Sequence, residues 1–239
     1  MATTTVEQFA ESVRGALGAR AVSIVLFGSA ARRGLAGPAD TLVICDRVDP
    51  GVLAALADAS RAWLKDGHPA PLVFGEAEWR DSADVFAIEM TDMRAHHRLL
   101  AGRDPWAGVA VRDEDVRRQL EHELRGKVVR LRQAFVGAAR DRTELGRALT
   151  GTVSGFLTML RAVLRLTGRE APADRTALIA AAAPLVGFDG GPVTTLAVAA
   201  RAGRPPKLGP EDPVAALYLA AVTRTAEYVN DLPTRSDGR

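Results

Sequence analysis

Residues 24–46 read IVLFGSAARRGLAGPADTLVICD, and this stretch decides the fold of the N-terminal half of the chain. The apolar run 21–27 has the length and the β-branched content of a strand. The small residues after it, beginning with Gly28 and Ser29, predict a tight turn and a short helix. A second apolar run, 41–45, lacks alternation and so predicts a strand buried on both faces. We therefore expect a strand, a turn, a short helix and a second strand.

The flanking sequence extends this pattern into an α/β half. Apolar residues recur at helical spacing over 6–17 and again over 50–64. Short apolar runs at 71–74 and 85–90 predict two further strands, with a brief helix over 76–80 between them. Strands that alternate with helices are typical of an α/β sheet.

Beyond Val111 the pattern becomes helical throughout. Residues 92–111 are rich in turn-forming residues and predict a connection. The later segments with helical spacing are 113–139, 141–166, 174–186, 192–202 and 213–230. We therefore predict an α/β domain over residues 1–110 and an all-α helical bundle over residues 111–239.

Composition excludes several classes of protein. Of the 239 residues, 47% are apolar and 25% are charged, as in globular proteins, so a disordered chain is excluded. A single cysteine, Cys45, excludes a disulfide framework and a cysteine zinc site and favours the reducing cytoplasm. The near balance of 31 basic and 29 acidic residues gives no support for nucleic-acid binding. The longest apolar run, 177–186, is shorter than the ~20 residues of a membrane span, so we expect none.

The order of a hydrophobic strand, Gly28-Ser29, a basic turn and then Asp40 resembles the nucleotidyltransferase superfamily. That family includes aminoglycoside adenylyltransferases and small bacterial nucleotidyltransferase proteins. Residues 92–108 and 120–135 are similar to segments of bacterial proteins that carry such a domain. The resemblance implies a nucleotidyltransferase-like domain with a mixed sheet, followed by a helical bundle, which is also common in the family.

The resemblance also implies a nucleoside triphosphate as ligand. Gly28 would let backbone amides approach the phosphates and Ser29 would add a hydroxyl donor, with the start of the next helix pointing at the anion. Arg32, Arg33 and Lys127 are the cations that we expect near phosphate. For Lys127 the alternative is a side chain that covers the apolar stripe of its helix and extends to water.

The metal site that the resemblance implies is incomplete. The family motif ends in two carboxylates at i and i+2, which hold paired Mg²⁺ ions for nucleotidyl transfer. Here Leu42 follows Asp40 at i+2, and Pro38 precedes it at i−2, so neither register supplies a pair. The family's third carboxylate comes from a later strand, and Glu89 is the best match. We predict Asp40 and Glu89 as the catalytic and metal-binding residues, holding one hydrated Mg²⁺ at most. The alternative is that Asp40 is a turn residue and Glu89 a solvent-facing acid on an edge strand.

Three functions remain open at this point. The missing carboxylate favours a degenerate member that binds a nucleotide or another partner without efficient catalysis. The first alternative is an active, Mg²⁺-dependent transferase that moves a nucleotidyl group from a nucleoside triphosphate to a hydroxyl acceptor. The second is a module of toxin-antitoxin type that acts through a protein partner or a homodimer.

Overall fold

The computed structural model describes residues 3–33, 37–138 and 140–232. The chain divides into two compact units, Met1–Val111 and Arg112–Arg239. The first unit holds the sheet and the second is helical.

A four-stranded mixed sheet forms the centre of the first unit, as the sequence predicts. Its strands are β1 (Ala21–Phe27), β2 (Asp40–Cys45), β3 (Leu72–Gly75) and β4 (His97–Gly102). They lie in the order β3-β2-β1-β4. β1 pairs antiparallel with both β2 and β4, whereas β2 and β3 are parallel.

Six α-helices accompany this sheet in the described part of the first unit, with a short 3-10 helix, Gly18–Arg20, before β1. They are α1 (Val6–Leu17), α2 (Gly28–Arg33), α3 (Pro50–Ala59), α4 (Arg61–Lys65), α5 (Glu76–Asp81) and α6 (Ala87–Ala95). α1 begins at a capping box made by Thr5 and Gln8 and ends at Gly18. The helix predicted over 50–64 is interrupted at Ser60, which ends α3 and precedes α4.

The strand predicted over 85–90 is wrong, because most of this run lies in α6. Four residues of α6 are buried, at spacings that suit a helix: Ala87, Ile88, Met90 and Met93. A short apolar run fits a buried strand and a buried helix equally well, so periodicity alone does not separate them. The fourth strand is instead β4, within the region predicted as a connection.

Two apolar clusters pack against the opposite faces of the sheet. One contains Ile24, Leu26 and Val43 with side chains of α1 and α3 and with Trp63. The other contains Val25, Leu42 and Ile44 with Trp79, Trp106 and the methionines of α6. Alternate residues of β1 and β2 therefore face different clusters, as expected for strands covered on both sides.

The second unit contains five helices in its described part, and each predicted helical segment matches one of them. They are α7 (Asp113–Gly137), α8 (Arg142–Leu166), α9 (Arg175–Val186), α10 (Gly190–Ala202) and α11 (Pro213–Asn230). α8 carries buried residues around most of its circumference and packs against α7, α9, α10 and α11. None of the described helices has the length and apolar character needed to cross a bilayer.

Candidate functional site

The structure brings Gly28 and Asp40 into contact at one end of the sheet. Phe27, the last residue of β1, pairs with Asp40, the first residue of β2. Gly28 follows with a φ of +72°. A Cβ placed on Gly28 would lie 3.3 Å from Oδ2 of Asp40. A glycine suits this position for two reasons: it tolerates the left-handed backbone, and it leaves room for the carboxylate.

The backbone amide of Gly28 is already used within the protein. It donates a hydrogen bond to the carbonyl oxygen of His96, at 3.2 Å. His97, the next residue, begins β4 opposite Phe27. A phosphate contact to the Gly28 amide would have to compete with the bond to His96. The role of Gly28 in nucleotide binding remains a prediction, as does that of Ser29, whose side chain is exposed.

His97 holds the start of β4 in place through both ring nitrogens. Its Nε2 accepts a hydrogen bond from the indole nitrogen of Trp106, at 3.1 Å. Its Nδ1 then carries the proton and donates to the carbonyl oxygen of Arg94, at 2.9 Å. Because His97 is paired with Phe27, these bonds fix the backbone beside Gly28. The sequence prediction missed this contribution, since it treated the region as a connection.

Asp40 is a half-buried carboxyl group, and burial raises its pKa above the ordinary value. It is the sole acidic residue in the four strands, whose other members are apolar, neutral polar or basic. The remaining part of the sheet therefore contributes no second carboxylate to a metal ion.

In the register that takes Asp40 as the first carboxylate of the motif, Leu42 occupies the position of the second. Its side chain is fully buried, and it lies on the same face of β2 as Asp40, two residues away. There it belongs to the apolar cluster that includes Trp79 and Met90. This part of the sheet face is covered by hydrocarbon, and a charged group there would lose its hydration without gaining a partner.

Glu89 lies in the first turn of α6 and is exposed. It is on a helix rather than on the later strand that the sequence predicts. It precedes His96, the C-cap of α6 whose carbonyl oxygen contacts Gly28, by seven positions. At ~1.5 Å per helical residue, this places Glu89 about 10 Å along the helix from that contact. Its catalytic and metal-binding role remains a prediction.

Lys127 is buried within the second unit, where its ammonium group donates to the carbonyl oxygen of Thr152 at 3.3 Å. Gly155 makes room for it, because a Cβ there would lie 3.2 Å from Nζ. Burial, together with the nearby charge of Arg130, lowers the pKa of Lys127. The side chain fills the space between α7 and α8 and does not extend to water. Its predicted contact with phosphate is untested.

The described residues do not fit a site for paired magnesium ions. In the residues that the structure describes, no group of three His, Cys, Asp or Glu side chains converges as a metal-binding cluster. Among the strand residues at this corner, Asp40 has the carboxylate that could bind a metal ion. Two residues along the same face of β2, Leu42 has an apolar side chain without an oxygen ligand. The predicted cations Arg32 and Arg33 lie in α2, but their side chains are outside the described part of the chain.

The first unit thus has a mixed sheet with a glycine turn beside Asp40, and the second unit is helical. Among solved structures, the chain is similar to spectinomycin adenyltransferase AAD(9) from Enterococcus faecialis, crystallised with ATP and spectinomycin. The TM-score is 0.57 at 12% sequence identity, over 93% of this chain and 98% of that chain. No protein-family model and no curated protein sequence matches the chain. At this identity the likeness shows the fold alone, and it confirms the predicted architecture of a mixed-sheet domain followed by a helical region.

Proposed function

We propose that this chain binds a nucleotide at the corner formed by Gly28, Ser29 and Asp40 and does not transfer a nucleotidyl group efficiently. The observation that supports this most directly is the burial of Leu42 in an apolar cluster, two residues along the strand from Asp40. Nucleotidyl transfer with two metal ions needs at least two carboxylates to hold the metals, and this face of the sheet presents one.

The corner has space and a hydrogen-bond donor for an anion, but it also has a carboxyl group that opposes anion binding. The turn after β1 lacks bulky side chains, with Gly28 followed by Ser29 and Ala30. The hydroxyl of Ser29 is exposed and suited to donate to a phosphate oxygen. Asp40 stands against the same turn and, when ionised, repels phosphate. We therefore expect weak binding of a nucleoside triphosphate unless a cation or a proton neutralises Asp40.

Equilibrium titration of ATP, GTP, CTP and UTP, with Mg²⁺ and with a chelator, tests this proposal. In the chelator, Asp40→Asn should tighten binding by about tenfold, which corresponds to ~1.4 kcal/mol, because a repulsive charge is removed. Asp58→Asn is the matched control, since Asp58 is exposed and pairs with Arg61 on the surface. The proposal is wrong if no nucleotide binds saturably, or if both variants bind as the unmodified chain does.

A second candidate function is active adenylyl transfer. The likeness to AAD(9), which is described with ATP and spectinomycin, favours it because the match spans nearly the whole of both chains. Here Asp40 and Glu89 would be the catalytic carboxylates, with a single Mg²⁺ that keeps most of its water ligands. Magnesium-dependent release of pyrophosphate from ATP, lost in both Asp40→Asn and Glu89→Gln, would support this function over the first.

A further inference from the structure

A groove with a volume of about 520 Å³ lies on the second unit, between α7 and α11. Its volume is within the range of small-molecule sites, roughly 300 to 1,000 Å³. The wall that α7 contributes contains Arg125, Val128, Val129 and Arg132, and α11 contributes residues from the range 223–231. The candidate nucleotide corner lies in the first unit, so the groove is a separate feature.

α7 and α11 run antiparallel along this groove, because the end of α11 meets the beginning and the middle of α7. There Asn230 accepts hydrogen bonds from Arg117 at 3.0 Å and from Arg125 at 2.9 Å. Arg132 is seven positions beyond Arg125 on α7, and Thr223 is seven positions before the end of α11. At ~1.5 Å per helical residue, both lie about 10 Å from the contact at Asn230 and at the same end of the groove.

The arginines of the groove differ in whether they already have an acceptor. Arg125 donates to Glu121 at 3.0 Å, and Arg224 pairs with Glu227 at 3.5 Å. Of the three arginines that line the groove, Arg132 alone has no hydrogen bond or ion pair with any residue that the structure describes. Its guanidinium group is therefore available to a bound anion.

The charges of the groove favour a ligand with a single negative charge. Its walls carry three arginines and two carboxylates, which leaves an excess of one positive charge. The two carboxylates, Glu227 and Asp231, would repel a dianion more strongly than a monoanion. The planar guanidinium of Arg132 matches a carboxylate, which accepts two parallel hydrogen bonds from it. The hydroxyl of Thr223, at the same end of the groove, is able to donate a further hydrogen bond.

An apolar surface lies beside Arg132 in the same groove. Val129 precedes Arg132 by three positions, so the two side chains are neighbours on one face of α7. The side chain of Val129 is 53% exposed, and the buried residues Val128 and Ala226 add apolar surface from both helices. The Cβ atoms of such neighbours are roughly 5–6 Å apart. A ligand with a carboxylate next to a hydrocarbon chain would contact both.

We propose that this groove binds a small amphiphilic carboxylate, with its carboxylate on Arg132 and its hydrocarbon chain across Val129. Covering the exposed valine removes apolar surface from water, and the ion pair sets the orientation of the ligand. A cation of the same length would meet Arg132 with like charge. A short carboxylate would leave Val129 uncovered. No covalent step is involved.

Isothermal titration calorimetry of the full chain with octanoate, octylamine and acetate tests this proposal. Each compound is titrated separately at pH 7, below the concentration at which it forms micelles. We expect octanoate to bind saturably and the other two to bind about tenfold or more weakly. The proposal is overturned if octanoate does not bind saturably, or if either of the other two binds as tightly.

Two pairs of substitutions locate the binding. Arg132→Gln should weaken octanoate by about tenfold or more, whereas Arg147→Gln, which removes an exposed arginine paired with Glu144 on α8, should leave the affinity unchanged. Val129→Ser should weaken octanoate by roughly threefold, because apolar contact is lost, and Val136→Ser, at a position of α7 that is 83% exposed outside the groove, should not. All four positions are exposed, so we expect each variant to keep the helical circular dichroism of the unmodified chain. Unchanged affinity in Arg132→Gln, or an equal loss in a variant and its control, would overturn the proposal.

Discussion

Two residues, Gly28 and Asp40, determine the geometry of the candidate site. Gly28 follows β1 with a positive φ, and the carboxylate of Asp40 lies against it from the neighbouring strand. The same contact brings a negative charge to the turn where a phosphate would bind. Substitutions at this contact should therefore change the stability of the fold as well as the affinity for a nucleotide.

Gly28→Ala should lower the free energy of unfolding by about 1–2 kcal/mol, because the left-handed backbone penalises a residue with a Cβ. The added carbon would also press on Asp40. Gly15→Ala is the control, since Gly15 lies in α1 with open space around it and a helical alanine gains about 0.5–1 kcal/mol. Urea denaturation measures both variants. A change of the same sign in both would contradict this account of Gly28.

Leu42→Asp tests whether the missing carboxylate can be restored. We expect the free energy of unfolding to fall by ~3 kcal/mol or more, because an unpaired charge enters an apolar cluster. Leu72→Asp is the control, because Leu72 pairs with Leu42 across the sheet but is 43% exposed and should lose about 1 kcal/mol or less. Thermal unfolding with and without Mg²⁺ measures both. If Mg²⁺ restores the stability of Leu42→Asp, the face accepts a metal and the account is wrong.

At the scale of an element, α3 depends on the charge of its N-cap residue, Asp49. Asp49 caps this helix by accepting from the amide of Val52, at 2.9 Å, and it pairs with Arg20 at 2.8 Å. The hydrogen bond from Arg20, followed by that from Val52, lowers the pKa of Asp49 to about 2. A carboxyl group with a depressed pKa stabilises the folded state above its unfolded pKa, roughly 3.9, and loses that contribution as pH falls toward the folded value.

Asp49→Asn should therefore destabilise the chain at pH 7, with a difference that shrinks as pH falls from about 4 to about 2. Asparagine keeps most of the capping ability, so the change isolates the charge. Asp189→Asn is the control, since Asp189 caps α10 without an arginine partner among the described residues. Urea denaturation at several pH values measures both. A difference between Asp49→Asn and the unmodified chain that persists at pH 2 would argue against this origin of the stability.

The elements that sequence predicts correctly are those with local signals. β1, the turn at Gly28 and β2 each carry their own signature of apolar run, glycine or capping residue. The run 85–90 was predicted wrongly because its apolar residues suit a buried helix as well as a strand. β4 was not predicted because its pairing with β1 joins residues that are 70 or more positions apart in the chain.

Some contacts of the candidate site can likewise be predicted from local sequence, and others cannot. The proximity of Gly28 to Asp40 follows from the spacing of the motif and from a short antiparallel pair of strands. The bond from Gly28 to His96 depends on β4, and the burial of Leu42 depends on where α6 packs, so neither is visible in local sequence. The position of Lys127 between α7 and α8 likewise depends on Gly155, a residue of the neighbouring helix.

At the scale of the whole molecule, the two units carry separate spectroscopic reporters. All three tryptophans lie in the first unit and both tyrosines in the second. The two apolar clusters that cover the sheet contain residues of the first unit alone. We expect a fragment of residues 1–111 to keep a buried tryptophan emission and to unfold cooperatively in urea. If the fragment has the same tryptophan emission in buffer as in concentrated urea, the first unit does not fold alone.

The proposal for the whole chain is that a nucleotidyltransferase fold holds a nucleotide without turning it over. The most direct measurement is pyrophosphate release by the full chain from ATP, GTP, CTP and UTP with Mg²⁺, with spectinomycin present as a hydroxyl-bearing acceptor. The account predicts saturable nucleotide binding and no release above that of Asp40→Asn. Release that depends on the acceptor, and disappears in Asp40→Asn while persisting in Asp58→Asn, would contradict it.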